Sequence, residues 1–138
     1  MNKKILHIAN LDKFIPGFIE LVRQHFAGEP HTVITFGDIK KYPYVQSPST
    51  LNFSTLNSFW NIFKLVVAMH RNDKIILHGL FSSHLVILLC FMPWLHKKCD
   101  WIIWGGDLYY HKLTQKDTRY YVLEVFRKFL ISRLGGLI

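Results

Sequence analysis

Two side chains in this sequence are placed to move a proton at the end of a β-strand. His78 closes the apolar run Lys74-Ile-Ile-Leu-His78 and is followed by Gly79. Asp107 follows Gly105-Gly106, directly after the run Asp100-Trp-Ile-Ile-Trp104. An imidazole titrates near neutral pH, so His78 suits general acid–base work or a hydrogen bond to a phosphate or a sugar hydroxyl. A carboxylate at 107 suits removal of a hydroxyl proton, and the glycine pair before it lets backbone approach a ligand closely. Asn10 and Asp12 follow the first strand-like run and add polar groups of the same kind. Plain structural roles stay open at this point: a strand-end histidine bonded only to backbone, and an aspartate that caps a turn.

Other chemistries lack their motifs. No GxGxxG follows the first strand, which disfavours a nicotinamide or flavin site. There is no P-loop, HExxH or GxSxG. The eight histidines show no metal-ligand spacing, and Cys90 and Cys99 form no CxxC. The two cysteines read as buried free thiols in a reduced compartment, and neither a metal nor a cofactor is expected.

The elements that must carry these residues alternate in type. Residues 4–9, 31–36, 74–78 and 100–104 read as strands, with a further short strand near Tyr44-Val45. Helices are predicted over 13–27, from Ser54 or Thr55 to about His70, over 82–95, and from Asp117-Thr118 to Gly135-Gly136. The first is assigned an apolar face of Phe14, Phe18, Leu21, Val22 and Phe26, and the second one of Leu56, Phe59, Phe63, Val66 and Val67. Alternating strands and helices predict an α/β fold: a Rossmann-like parallel sheet with helices on both faces. In such a sheet ligands bind at the C-terminal strand ends, so Asn10, Asp12, His78, Gly79, Gly105, Gly106 and Asp107 are expected along one rim. Leu137-Ile138 reads as the opening of another strand, so the chain is expected to be a truncated piece.

A formal net charge of +8 calls for anionic partners. The positive residues are scattered, without the long block of a nucleic-acid tail, so nucleic acid is not expected as a partner. Residues 75–95 hold no Asp, Glu, Lys or Arg, but His78, Gly79, Ser82, Ser83 and His84 interrupt them, so a strand, turn and buried helix fit better than a membrane span. Trp94-Leu95 beside His96-Lys97-Lys98 has the aromatic and basic makeup of an interfacial contact; a helix end packed on its own domain is equally open.

Between residues 78 and 109 the sequence resembles the Fuc4NAc transferase family (4-alpha-L-fucosyltransferases, glycosyltransferase family 56). Those enzymes carry an HGxF segment, an apolar helix and an IWGxDLY segment in that order. The matching residues are His78, Gly79 and Phe81, then Ile103, Trp104, Gly105, Asp107, Leu108 and Tyr109. The opening strand with His7 also resembles the family's start. The resemblance implies the N-terminal domain of a GT-B glycosyltransferase, spanning residues 1–138, with the C-terminal nucleotide-sugar domain missing. It implies inverting, metal-independent transfer of a dTDP-activated amino-deoxysugar, bound by the missing domain, to an undecaprenyl-pyrophosphate-linked saccharide in enterobacterial common antigen synthesis. It also implies peripheral attachment to the cytoplasmic face of the bacterial inner membrane, and a fragment inactive by itself. Asp107, ahead of His78, is then the expected base, with Trp104 and Tyr109 stacking on sugar rings. A capsule or O-antigen transferase using another sugar, and a non-catalytic fragment binding polyanions or membranes, are the alternatives.

Overall fold

The structure is a computed structural model that describes residues 2–54, 58–80 and 82–103. Five strands form one sheet: β1 (Ile5–Asn10), β2 (His31–Phe36), β3 (Thr50–Phe53), β4 (Lys74–His78) and β5 (Cys99–Ile102). Every neighbouring pair is parallel, in the order β3-β2-β1-β4-β5. The chain winds outward from β1 in one direction and then from β4 in the other. The boundary between β1 and β4 is therefore the topological switch point, where open parallel sheets bind ligands.

Helices cover both faces, as the alternation of strands and helices predicts. Successive strand residues point to opposite sides. Leu6, Ile8, Ile34, Ile75 and Leu77 face α2 (Phe59–Arg71) and α3 (Ser83–Phe91), packing with Leu65, Met69, Leu85, Val86 and Leu89 in the main core. Ala9 and Val33 face the other way, onto Ile15 and Ile19 of α1 (Ile15–His25). A short 3₁₀ segment, Pro93–Lys98, follows α3, and its Leu95 closes the main core.

Local chemistry explains the helix ends. The Asp12 carboxylate accepts from Phe14 N at 2.7 Å and Ile15 N at 3.2 Å, and Pro16 sits in the first turn, where a missing N–H is harmless. The Ser82 hydroxyl caps α3, accepting from Leu85 N. At the end of α2, the Asn72 side chain donates to Ala68 O at 2.7 Å. Asp73 then joins β4 to the start of β1, its carboxylate accepting from Lys4 N at 2.8 Å.

Two helix faces differ from the sequence expectation. In α1 the buried residues are Ile15 and Ile19, with Phe18 and Val22 half-buried, while Phe14, Leu21 and Phe26 are exposed. In α2 they are Leu65 and Met69, flanked by Ile62 and Val66, while Phe59 and Phe63 are exposed. Both helices turn the same i, i+3, i+4, i+7 stripe inward, Ile15, Phe18, Ile19 and Val22 in α1 and Ile62, Leu65, Val66 and Met69 in α2, and the exposed aromatics sit beside it. The third strand also differs: it is Thr50–Phe53, not the Tyr44-Val45 segment, and it pairs with β2 from Val33↔Thr50 to Phe36↔Phe53. Tyr44 instead packs on the α1 side, where its hydroxyl meets Thr35 Oγ1 at 2.7 Å. The final predicted helix lies outside the described residues.

Candidate functional site

The C-terminal rim at the β1–β4 boundary gathers part of the expected set. His78 is the last residue of β4 and pairs with Ala9 of β1 and Ile102 of β5. Asn10 ends β1 one residue past that pair. Gly79 leaves β4 with φ of 80°, a left-handed conformation that a side chain disfavours, and its N–H donates to Ile102 O at 3.1 Å. Asn10, His78 and Gly79 are thus brought together. Asp12, expected to bind a ligand, instead caps α1 with its carboxylate, which accepts from Phe14 N and Ile15 N. Trp104, Gly105, Gly106, Asp107 and Tyr109 lie outside the described residues.

What the sequence did not disclose is a row of histidines across the α1 face of the sheet. His7 lies mid-strand in β1, facing the same side as Ala9. Its Nδ1 is 3.0 Å from Nε2 of His78 and its Nε2 is 2.9 Å from Nδ1 of His31, the first residue of β2. His31 Nε2 in turn lies 3.1 Å from Oε2 of Glu29. The register makes the row diagonal. Ile5 pairs with His31 and Ala9 with His78, so the row advances four residues along β1, roughly 13 Å at the rise of a strand. Phe18 of α1 covers the inner part, with ring centroids 5.1 Å from His7 and 4.6 Å from His78, and Phe26 lies 5.5 Å from His31.

Burial sets the charge state of this row. His7 and His78 are each only 5% exposed. Loss of hydration lowers the pKa of His7 from 6.5 to about 3, helped by repulsion from His78 and His31; burial lowers His78 as well. Both rings are therefore neutral at pH 7. A neutral imidazole has one donor and one acceptor nitrogen. His78 spends its Nε2 on His7, and its Nδ1 is buried without a hydrogen-bond partner among the described residues. An unsatisfied buried polar atom costs on the order of 1–3 kcal/mol, and such atoms cluster where function requires them.

Comparison with known proteins gives no match: no family model, curated protein or solved structure aligns with this chain. Among the described residues, no group of three or more His, Cys, Asp or Glu side chains is arranged to hold a metal ion. In the histidine row the ring nitrogens point at one another instead of converging on a common centre. No helix among the described residues is long and apolar enough to cross a membrane.

A sequence signal for the row did exist. His7 interrupts the otherwise apolar run Ile5-Leu-His-Ile-Ala9, and His78 ends a similar run. A histidine inside a buried strand needs a polar partner. Finding that partner requires the strand order and register, which only the assembled sheet supplies.

Proposed function

We propose that this chain is the acceptor-side half of an inverting GT-B glycosyltransferase of the Fuc4NAc transferase kind. On this reading it holds an undecaprenyl-pyrophosphate-linked saccharide at the cytoplasmic face of the inner membrane, and a second domain brings the dTDP-activated sugar. The observation that carries the reading is the Nδ1 of His78, unpartnered among the described residues, at the switch-point rim and inside the segment that resembles the family. That nitrogen is shielded from solvent, so on this reading the rim opens as the acceptor docks; its hydroxyl then bonds to the nitrogen and loses its proton to it as the new glycosidic bond forms. Asp107 stands as the alternative base on the strength of the resemblance.

The surface supports a membrane-bound substrate. The helix layer formed by α2, α3 and the 3₁₀ segment exposes Phe59, Trp60, Phe63, Phe91 and Trp94, with Lys64, Arg71, Lys97 and Lys98 in the same elements. Aromatic and basic residues in one layer suit an anionic bilayer surface.

The test is binding of lipid-linked disaccharide in nanodiscs to the intact chain. Binding should exceed that to nanodiscs of the same phospholipid alone, and His78→Ala should weaken it about tenfold, the loss of one hydrogen bond to a buried group. Equal binding to loaded and empty nanodiscs overturns the reading.

A further inference from the structure

The histidine row has a direction, and Glu29 sets it. An ionised carboxylate only accepts hydrogen bonds, so the 3.1 Å contact with His31 requires Nε2–H on His31. A neutral His31 then presents a bare Nδ1, which must accept from His7 Nε2–H at 2.9 Å. His7 in turn presents a bare Nδ1 and must accept from His78 Nε2–H at 3.0 Å. The row ends with His78 Nδ1 as a lone pair, the buried nitrogen that has no partner among the described residues. Among neutral rings the opposite polarity would leave His31 Nε2 without its proton and set its lone pair against the carboxylate; only a second proton on His31 would allow it, and that case gives Nδ1–H at His7 and His78.

We propose that Glu29, His31 and His7 are a hydrogen-bond relay that holds His78 in the Nε2–H tautomer, as a base at the C-terminal rim, and conducts the captured proton along the same face to the opposite end of the strands. The chemical role at His78 rests on the transferase reading above; the tautomer chain does not. Glu29, His31 and His7 are positioning residues, since they act on a substrate only through His78.

The proton balance closes along the row. An O–H bond at the rim breaks and His78 Nδ1–H forms. His78 Nε2–H passes to His7 Nδ1, His7 Nε2–H passes to His31 Nδ1, and His31 Nε2–H passes to the Glu29 carboxylate. Every ring is then neutral and in the Nδ1–H tautomer. Glu29 gives this proton to water; a proton taken up again at Glu29 and passed back along the row then leaves His78 Nδ1 for a diphosphate oxygen of the departing nucleotide, which resets the row. No ring has to hold two protons except in passing, which suits a site where burial opposes the cation.

The far end is built for exchange with water. Glu29 and His31 line a cavity of about 470 Å³ bounded by α1, β2 and the segment before β3, with Glu20, Arg23 and Tyr44 among its other walls. The Glu29 side chain is 50% exposed while that of His31 is 11% exposed, so the carboxylate is the station where the row meets solvent. Phe18 and Phe26 shield the rings between the two ends.

The experiment is long-range ¹⁵N–¹H NMR of the imidazoles in the intact chain near pH 7.5. His7, His31 and His78 should all show the Nε2–H pattern, with His78 Nδ1 at the position of a bare ring nitrogen. Glu29→Ala replaces an exposed anchor with water, which both donates and accepts. The His78 Nδ1 resonance should then shift upfield, toward the protonated position, although residue 29 does not touch His78. Glu29→Gln, whose amide oxygen still accepts, should largely restore the original pattern. An Nδ1–H tautomer at His7 or His78 in the unmodified chain, or a His78 spectrum unchanged in Glu29→Ala, overturns the relay. These readouts need no saccharide. Loss of the tautomer pattern with intact saccharide binding sinks the relay alone, and loss of binding with intact tautomers sinks the transferase reading alone.

Discussion

His7 Nδ1 lies 3.0 Å from His78 Nε2, a contact that joins residues 71 positions apart across the switch point of the sheet. It locks two neutral rings together, and His7 cannot take a proton on Nδ1 without breaking it. The unfolded chain takes up a proton on His7 near pH 6.5, whereas the folded chain resists until about pH 3. Between those values the unfolded state holds more protons, so stability is full above pH 6.5 and falls as the pH drops. His7 alone should cost roughly 3 kcal/mol at pH 4 relative to pH 7, and the lowered His78 adds in the same direction. Urea midpoints at the two pH values check this; equal midpoints would show that the row is charged or open to water.

The wall of the cavity depends on one buried hydroxyl. Thr35 is fully buried in β2; its Oγ1 donates to Asn52 Oδ1 at 2.9 Å and lies 2.7 Å from the Tyr44 hydroxyl. Its single proton goes to Asn52, so Tyr44 is the donor in the second bond. Asn52 Nδ2 continues the network to Gly37 O at 3.1 Å. Thr35→Val keeps the shape and strands both partners, so a loss of about 2 kcal/mol in urea unfolding is expected. A loss below about 0.5 kcal/mol would mean that water takes over both bonds, as at an ordinary surface site.

Two glycines separate backbone strain at the rim from strain elsewhere. Gly79 has φ of 80° and Gly37 has φ of 130°, and a Cβ on Gly37 would stand 3.2 Å from Leu11 Cβ. Either substitution to alanine should cost about 1–2 kcal/mol. Only Gly79→Ala adjoins His78, so only it should also weaken binding of lipid-linked saccharide. Equal binding losses in both variants would assign the effect to general destabilisation.

These contacts mark what a single sequence can disclose. Strands β1, β2, β4 and β5 followed from β-branched and apolar runs, whereas Thr50–Phe53 has no such run and was missed; the rule that ligands meet C-terminal strand ends put Asn10, His78 and Gly79 on one rim. The buried helix stripes were misjudged because α1 and α2 carry more apolar residues than they bury. Phe14, Phe59 and Phe63 look like core by composition but flank the stripe that packs. Asp12 is equally suited to a ligand and to a helix cap, and only hydrogen-bond geometry separates the two. His7 and His31 join His78 through register, which the order of residues along the chain does not contain. Asp107 and its glycine pair lie outside the described residues, so their part in the site rests on the resemblance alone.

The exposed aromatics offer the last prediction. Phe59 is 80% exposed, and Trp60 is 67% exposed with its ring edge-on to Phe63 at 5.8 Å. On the α3 side, the indole N–H of exposed Trp94 donates to His70 Nε2 at 3.0 Å, and Lys98 Nζ donates to Asn72 O at 2.7 Å. These bonds fix the 3₁₀ segment against the end of α2, so the aromatic residues belong to one rigid layer. With a net charge of +8, the intact chain should sediment with vesicles rich in anionic lipid and be released as salt rises. Charge alone would give that result, so the rings need their own test. Full burial of a large apolar side chain yields about 1.5–3 kcal/mol, and partial insertion yields part of it. Phe59→Ser with Trp60→Ser should therefore weaken vesicle binding about tenfold at fixed salt, with the folding transition unchanged because both side chains are exposed. Binding that follows salt but ignores the double substitution would place the bilayer contact on another face of the sheet.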